Sequence, residues 1–148
     1  LRRLRQRRCA LRDAGLQTAV IDMNIDTVQS LAKSGRLAIY GDATRHEVLD
    51  QTGIRKAVHL IVTLPHVEGR SAVVLAAREL NPEVEITVRA RYLSEREVLN
   101  GAGANKVVFE EGEAGVALAR HVLEKRGLDN ATIERLLSAV RQLWQMKD

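Results

Sequence analysis

The sequence predicts an α/β fold with a doubly wound parallel sheet, and three observations support this. Short runs rich in β-branched residues alternate with helical stretches as far as residue 110. The links between them are only a few residues long, so each helix must carry the chain to the next parallel strand. The apolar runs are nearly continuous, which is typical of strands covered on both faces. We therefore expect at least five strands, followed by a C-terminal helical arm.

The five predicted strands are short and apolar. They cover residues 18–22, 37–40, 59–63, 85–89 and 106–109. Helices are predicted between them, over residues 26–33, 44 to about 53, 68–80 and 94–102, with Ser94 as a cap. Gly35 and Gly53 end two of these helices, and Asn81-Pro82 ends a third.

The pattern changes after Phe109, where strands give way to two helices. The first covers residues 111–125 and is closed by Gly127, and the second begins at Asp129 or Asn130. An apolar stripe runs along the second helix at helical spacing; it consists of Ile133, Leu136, Leu137, Val140 and Trp144. No later strand holds this helix to the sheet, so we predict a dimer arm, with folding back within one chain as the alternative. Residues 1–110 and 111–148 are thus expected to be distinct parts.

Composition narrows the class of protein. The 148 residues are 45% apolar and 28% charged, as in a soluble globular domain. The longest uninterrupted apolar run, residues 72–77, is far shorter than the roughly 18 residues of a membrane-spanning helix. The single cysteine, Cys9, fits a reducing cytoplasm.

The positive charge is concentrated at the N-terminus. The net charge is +4, yet six of the first twelve residues are arginine, and without them 17 basic residues face 19 acidic ones. A nearly neutral body with only four aromatic residues argues against a nucleic-acid partner. The arginine-rich start is more simply a solvated helix face than a contact for anionic lipid or RNA.

Ligands of parallel sheets bind beyond the carboxyl ends of the strands, so the polar residues there are the candidate site. Asp22 closes the first predicted strand, where a carboxylate accepts hydrogen bonds from a ribose. The alternative is a helix-capping aspartate, for which Asn24 and Asp26 compete.

The second strand is followed by a more specific motif. Gly41 and Ala43 allow close approach of a ligand to the backbone. Asp42, between them in the sequence, is expected to face the crevice beyond the strand ends. Thr44 and Glu47 have the spacing of a capping box, which explains them without a ligand. Helix capping gives no reason for Asp42.

The next strands contribute a hydroxyl and two positive charges. Thr63 and Pro65 follow the third strand, and Arg89 and Arg91 lie two residues apart, on one face of the fourth. Two arginines at such a position need anions. A phosphate-bearing or carboxylate-bearing ligand would serve, and so would an ion pair with Glu110 at the end of the fifth strand.

Catalytic and metal-binding patterns are not seen. The four histidines lack metal-ligand spacing, and there is no nucleophile elbow or carboxylate pair. His66 is the one candidate acid or base near the crevice, and a plain loop histidine is the simpler interpretation. We predict binding without turnover, so the protein is not expected to be an enzyme.

Five motifs, in order, resemble the N-terminal domain of modules that regulate potassium conductance, the TrkA-N or KTN family. They are residues 21–22, 40–44, 62–65, 88–91 and 103–108. Within the family the sequence is most similar to the cytoplasmic domain of Kef-type potassium/proton antiporters. The resemblance implies a Rossmann-like fold that binds NAD(H), AMP or ATP, and a homodimer formed through the C-terminal helices. It also implies a membrane-embedded potassium transporter as partner, on the cytoplasmic side of the inner membrane.

The resemblance also assigns roles to the candidate residues. It implies that Asp22 binds ribose, that Asp42 and Ala43 flank the adenine, and that Arg89 faces the phosphates. The family opens with a strand and a Gly-x-Gly-x-x-Gly turn, and Leu1 and Leu4 fall where its second and third glycines belong. We therefore expect the first strand to be missing or supplied by another segment or subunit. Two other functions stay open: a truncated NAD-dependent oxidoreductase, and a dimerisation module without ligand.

Overall fold

The computed structural model describes residue 11 and residues 14–144. Strands and helices alternate as the sequence predicts. Their bounds are β1 Ala19–Asp22, α1 Ile25–Lys33, β2 Leu37–Tyr40, α2 His46–Asp50, β3 His59–Val62, α3 Val67–Leu80, β4 Glu85–Ala90, α4 Glu95–Gly101, β5 Lys106–Phe109, α5 Glu110–Lys125 and α6 Asn130–Leu143. A 3₁₀ turn, Ile54–Lys56, follows α2 and was not predicted. The α/β class is confirmed.

All strand pairs are parallel, and they form two sheets. β1 pairs with β2, and β4 lies between β3 and β5. Within the described residues, no strand pairs with the other edge of β1 or of β3. The opening strand of the family, which the sequence did not show, is thus not among these elements either.

The chain forms two compact units. The first contains β1, α1, β2, α2 and the end of α3, and the second contains β3, the start of α3 and everything from β4 to α6. The two C-terminal helices therefore belong to the same unit as β3, β4 and β5. The proposed division at residue 110 stays a prediction.

The core of the first unit is small and is closed by one buried amide. Leu49 and Ile54 are almost fully buried. Asn81, just after α3, donates from Nδ2 to the carbonyl oxygens of Ile54 and Ala57, at 2.9 Å each. The residue predicted simply to end a helix is thus a polar link to the 3₁₀ turn.

β4 is the central strand of the second unit. It is paired on both sides, and Ile86, Val88 and Ala90, which alternate along it and share one face, are buried. Asn105, just before β5, forms two hydrogen bonds with Ile86. Its backbone N–H donates to the Ile86 carbonyl at 2.9 Å, and its side-chain oxygen accepts from the Ile86 N–H at 2.8 Å.

The apolar stripe of α6 packs against α5 of the same chain. Ile133 and Leu137 are buried together with Val116 of α5. The link between the two helices is short, with Gly127 at φ 79°, so they return alongside each other. Ion pairs Arg120–Glu134 (2.7 Å) and Arg141–Glu113 (3.2 Å) flank the apolar contact. The buried part of the stripe, predicted to face a second copy, is therefore covered within the chain.

Candidate functional site

Asp22 lies at the carboxyl end of β1, beside the end of β2. The Gly41 N–H donates to the Asp22 carbonyl oxygen at 3.2 Å. The Asp22 carboxylate accepts the N–H of Asn24 at 2.8 Å, and Asn24 itself caps α1 by accepting the N–H groups of Asp26 and Thr27. Asn24, and not Asp22, therefore caps the helix, so the interpretation of Asp22 as a helix-capping aspartate is wrong. The half-buried Asp22 carboxylate fixes the turn before the helix.

Asp42 forms a compact turn with Thr44. Its Oδ1 accepts the Thr44 N–H at 2.9 Å and the Thr44 hydroxyl at 2.8 Å. These two hydrogen bonds from Thr44 hold the pKa of Asp42 below its usual value, so the carboxylate is ionised near neutral pH. Ala43, half-buried, lies inside this turn.

The predicted capping box of Thr44 and Glu47 is wrong. Arg45 occupies the N-cap position of α2, and no side chain caps that helix. The Thr44 hydroxyl instead donates to the carboxylate of Asp42, two residues earlier, at 2.8 Å. Ser94 likewise occupies the N-cap position of α4 without a side-chain capping bond.

The second unit holds a polar cavity of about 320 Å³ at the ends of β4 and β5. It is lined by Pro65, Arg89, Arg91, Glu110 and Glu111. The two arginines that were predicted to share a face both line this cavity. Glu111 was not predicted, although three glutamates in the first turn of α5 were visible in the sequence.

Arg89 contacts Glu110 and still has capacity for another acceptor. Its Nε lies 3.5 Å from Glu110 Oε2. That is an ion-pair contact rather than a hydrogen bond, and the buried Nε has no hydrogen-bond acceptor among the described residues. The ion pair of the second interpretation is therefore observed, and the guanidinium, on a side chain that is 36% exposed, has further N–H groups that can donate to an oxyanion.

Thr63 follows β3 as an exposed residue and is not among the residues lining this cavity. The six predicted site residues thus divide between the units: Asp22, Asp42 and Ala43 belong to the first, and Thr63, Arg89 and Glu110 to the second. His66 is an exposed loop residue whose carbonyl oxygen accepts the N–H of Arg70.

An apolar cavity of about 370 Å³ lies in the same unit. It is lined by Leu93, Phe109, Glu111, Gly112 and Trp144. Phe109 and Trp144 meet edge to face, with ring centroids 6.4 Å apart. The aromatic residue of the α6 stripe thus forms one wall of this cavity.

The described residues contain neither a metal-binding cluster nor a helix that could span a membrane. No group of three or more metal-ligating side chains occurs in residue 11 and residues 14–144. In that part of the chain no helix is long and apolar enough to cross a membrane. Leu1, Leu4, Cys9 and the arginine-rich start lie outside the described residues.

A parallel α/β domain with carboxylates after β1 and β2 and two arginines at the end of β4 belongs to the Rossmann-like class. The sequence profile of the TrkA-N domain matches residues 8–110. The chain therefore belongs to the TrkA-N family, and the predicted resemblance is confirmed.

Similar proteins connect the family to ion transport. A glutathione-regulated potassium-efflux system protein of Haemophilus influenzae is 30% identical over 131 residues, which are 88% of this chain and 21% of that protein. The crystal structure of the TrkA-N domain of the inner membrane protein ybaL from Escherichia coli is 32% identical, with a TM-score of 0.70, and the match covers 78% of this chain and 82% of that one. The GsuK channel bound to NAD is 25% identical, with a TM-score of 0.68, over 74% of this chain and 20% of that one.

Proposed function

We propose that this chain is the cytoplasmic, nucleotide-sensing regulatory domain of a potassium transport system, either a Kef-type antiporter or a related channel or transporter. The potassium-efflux relative supports the system, and the chain spans about a fifth of its length. The observation that carries the proposal is the pair of arginines, Arg89 and Arg91, in one polar cavity. A membrane-embedded potassium transporter, at the inner membrane, is the proposed partner.

The proposed ligand is an adenine nucleotide, NAD(H), AMP or ATP. The similar GsuK channel was solved with NAD, which supports this class of ligand. Asp22, as an acceptor at the end of β1, would bind ribose hydroxyls, and Asp42 and Ala43 would flank the adenine. Arg89, whose side chain is 36% exposed, would bind a phosphate through its guanidinium, and Thr63 and Glu110 complete the proposed set.

Calorimetry with AMP and adenosine tests this assignment. Arg89→Ala should weaken AMP binding by about 1.5–3 kcal/mol, the worth of a charge-assisted hydrogen bond, and leave adenosine nearly unchanged. Asp22→Asn should weaken both ligands. Arg55→Ala is the matched control, because it removes an exposed arginine whose partner is Asp50. Equal losses of AMP and adenosine in Arg89→Ala would show that Arg89 does not bind phosphate.

We also propose that the domain binds its ligand without turnover. The carboxylate of Asp42 is held ionised by Thr44, so it is suited to accept hydrogen bonds rather than to donate a proton. Incubation with NADH and a panel of carbonyl substrates should leave the absorbance of the cofactor unchanged. Steady, protein-dependent oxidation would favour the oxidoreductase alternative.

The proposed homodimer uses the C-terminal helices, through the exposed face of α5. Leu118 and Val122, one turn apart, are 71% and 57% exposed, and Ala114 precedes them on the same face. Leu118→Glu with Val122→Glu should convert a dimer into a monomer in sedimentation at micromolar concentration. Leu143→Glu, at an equally exposed leucine of α6, is the control. A monomeric parent protein would refute the dimer.

A further inference from the structure

Arg70 is a charged residue in the interior, and the proposed ligand site does not account for it. It is the fourth residue of α3, and its side chain is 0% exposed. Its Nη2 lies 2.7 Å from Glu95 Oε2, although the angles of this ion pair are not those of a hydrogen bond. None of its three side-chain nitrogens has a hydrogen-bond partner among the described residues. A buried guanidinium stabilises a core less than an apolar side chain would, because burial of a charge is strongly unfavourable.

The partner of Arg70 holds the backbone of a turn. Glu95 is the first residue of α4, and its Oε2 also accepts the N–H of Arg91 at 2.7 Å and that of Tyr92 at 3.4 Å. The Glu95 carboxylate is itself largely buried, with 12% of the side chain exposed. A largely buried carboxyl group is stabilised by a nearby positive charge, and Arg70 supplies one at 2.7 Å.

The turn held by Glu95 carries Arg91 to the polar cavity. Arg91 directly follows β4 and lines the cavity together with Arg89, and its guanidinium carbon lies 5.4 Å from the ring centroid of Tyr92. Because the N–H groups of two successive residues bond to one oxygen, the backbone direction at Arg91 is fixed. Arg89, in contrast, is fixed by the strand itself.

We infer that Arg70 is a positioning residue for the anion-binding cavity. Its buried guanidinium pairs with the Glu95 carboxylate, Glu95 holds the turn of residues 91–94, and the turn presents Arg91 beside Arg89. Arg70 does not line the cavity, so it acts only through Glu95. The inference rests on the proposed function in taking a nucleotide phosphate as the anion.

Amide hydrogen exchange on the full chain tests the positioning without a ligand. In Arg70→Met the amides of Arg91 and Tyr92 should exchange about tenfold faster or more, whereas the Val88 amide in β4 should keep its protection. Arg55→Met, which removes an exposed ion pair, should change none of these. Unchanged exchange at Arg91 and Tyr92 in a folded Arg70→Met protein would overturn the inference.

Binding of AMP tests the functional consequence. Arg70→Met should weaken AMP by about tenfold, leave adenosine unchanged and cause no further loss in an Arg91→Ala background, since coupled residues are not additive. Additive losses, or equal losses for adenosine, would mean a merely structural role. If Arg70→Met does not fold, Glu95→Gln, which keeps an acceptor oxygen and removes the charge, should give the same pattern. If the parent chain binds no AMP, the proposed function fails, and the exchange experiment alone decides the role of Arg70.

Discussion

Truncation of Leu137 should destabilise the protein much more than truncation of its neighbour Leu136. Both are leucines in the middle of α6, so the helix propensity lost or gained is the same. Leu137 is 2% exposed and packs against Val116 of α5, whereas Leu136 is 41% exposed. The comparison therefore isolates the packing of α6 on α5.

The expected difference follows from burial. Leu137→Ala removes a fully buried side chain and leaves a cavity, which costs about 2–5 kcal/mol. Leu136→Ala loses only part of the transfer free energy and leaves no closed cavity, so about 1 kcal/mol is expected. With an m-value of about 1–3 kcal/mol/M in urea, the midpoint of Leu137→Ala should lie roughly 1 M below that of Leu136→Ala.

Urea unfolding at several protein concentrations is the assay. An unchanged m-value with the predicted difference in midpoint, at every concentration, supports packing within one chain. Equal losses in the two variants would refute it. If the effect of Leu137→Ala fell as the protein was diluted, the stripe would be buried between two copies, as the sequence pattern predicts.

Two further predictions concern the loop after β2. Gly41→Ala should destabilise by about 1–3 kcal/mol in thermal unfolding, because a methyl group there would lie 2.9 Å from Val48 Cγ1. Gly101→Ala, where no atom lies within 4 Å, should be neutral or up to about 1 kcal/mol stabilising. Thr44→Val should raise the pKa of Asp42 toward its ordinary value, measured by NMR of the carboxyl carbon, with Asp129 as an unaffected reference. The lowered pKa of Asp42 stabilises the folded state above pH 3.8, and this stabilisation is lost as the pH falls. Thr44→Val should therefore make the free energy of unfolding depend less on pH in the acid range. An unchanged titration of Asp42 in Thr44→Val would show that the hydroxyl does not contribute to the lowered pKa.

Local features were predictable from the sequence. β2 and β5 begin and end at the predicted residues, because short apolar runs bounded by turn residues specify a strand without help from distant parts. Asp129 was one of two predicted caps and does accept the N–H of Thr132. The spacing of Arg89 and Arg91 also predicted that they share a face, since residues two apart on a strand do so, whereas the cavity that they line was not predicted.

Features that depend on distant contacts were not predictable. Arg70 and Glu95 are 25 positions apart in the sequence, and neither sits in a motif, so nothing local marks them as a buried pair. The stripe of α6 fits a partner helix in the same chain or in a second copy equally well, and only tertiary packing distinguishes them. The Thr44 capping box failed because two acceptable arrangements competed for one hydroxyl.

The two bonds between Asn105 and Ile86 have a consequence for where Arg89 ends up. Side chains of a strand alternate between faces, so a slip of one residue in β4 would exchange Ile86 and Val88 with Thr87 and Arg89. A guanidinium would then enter the interior, and the polar cavity would receive a valine. The Asn105 side-chain oxygen accepts the Ile86 N–H and the Asn105 backbone N–H donates to the Ile86 carbonyl, so both backbone groups of Ile86 are fixed and the slipped alignment is disfavoured. The placement of Arg89 at the cavity therefore depends on Asn105, sixteen residues later in the sequence.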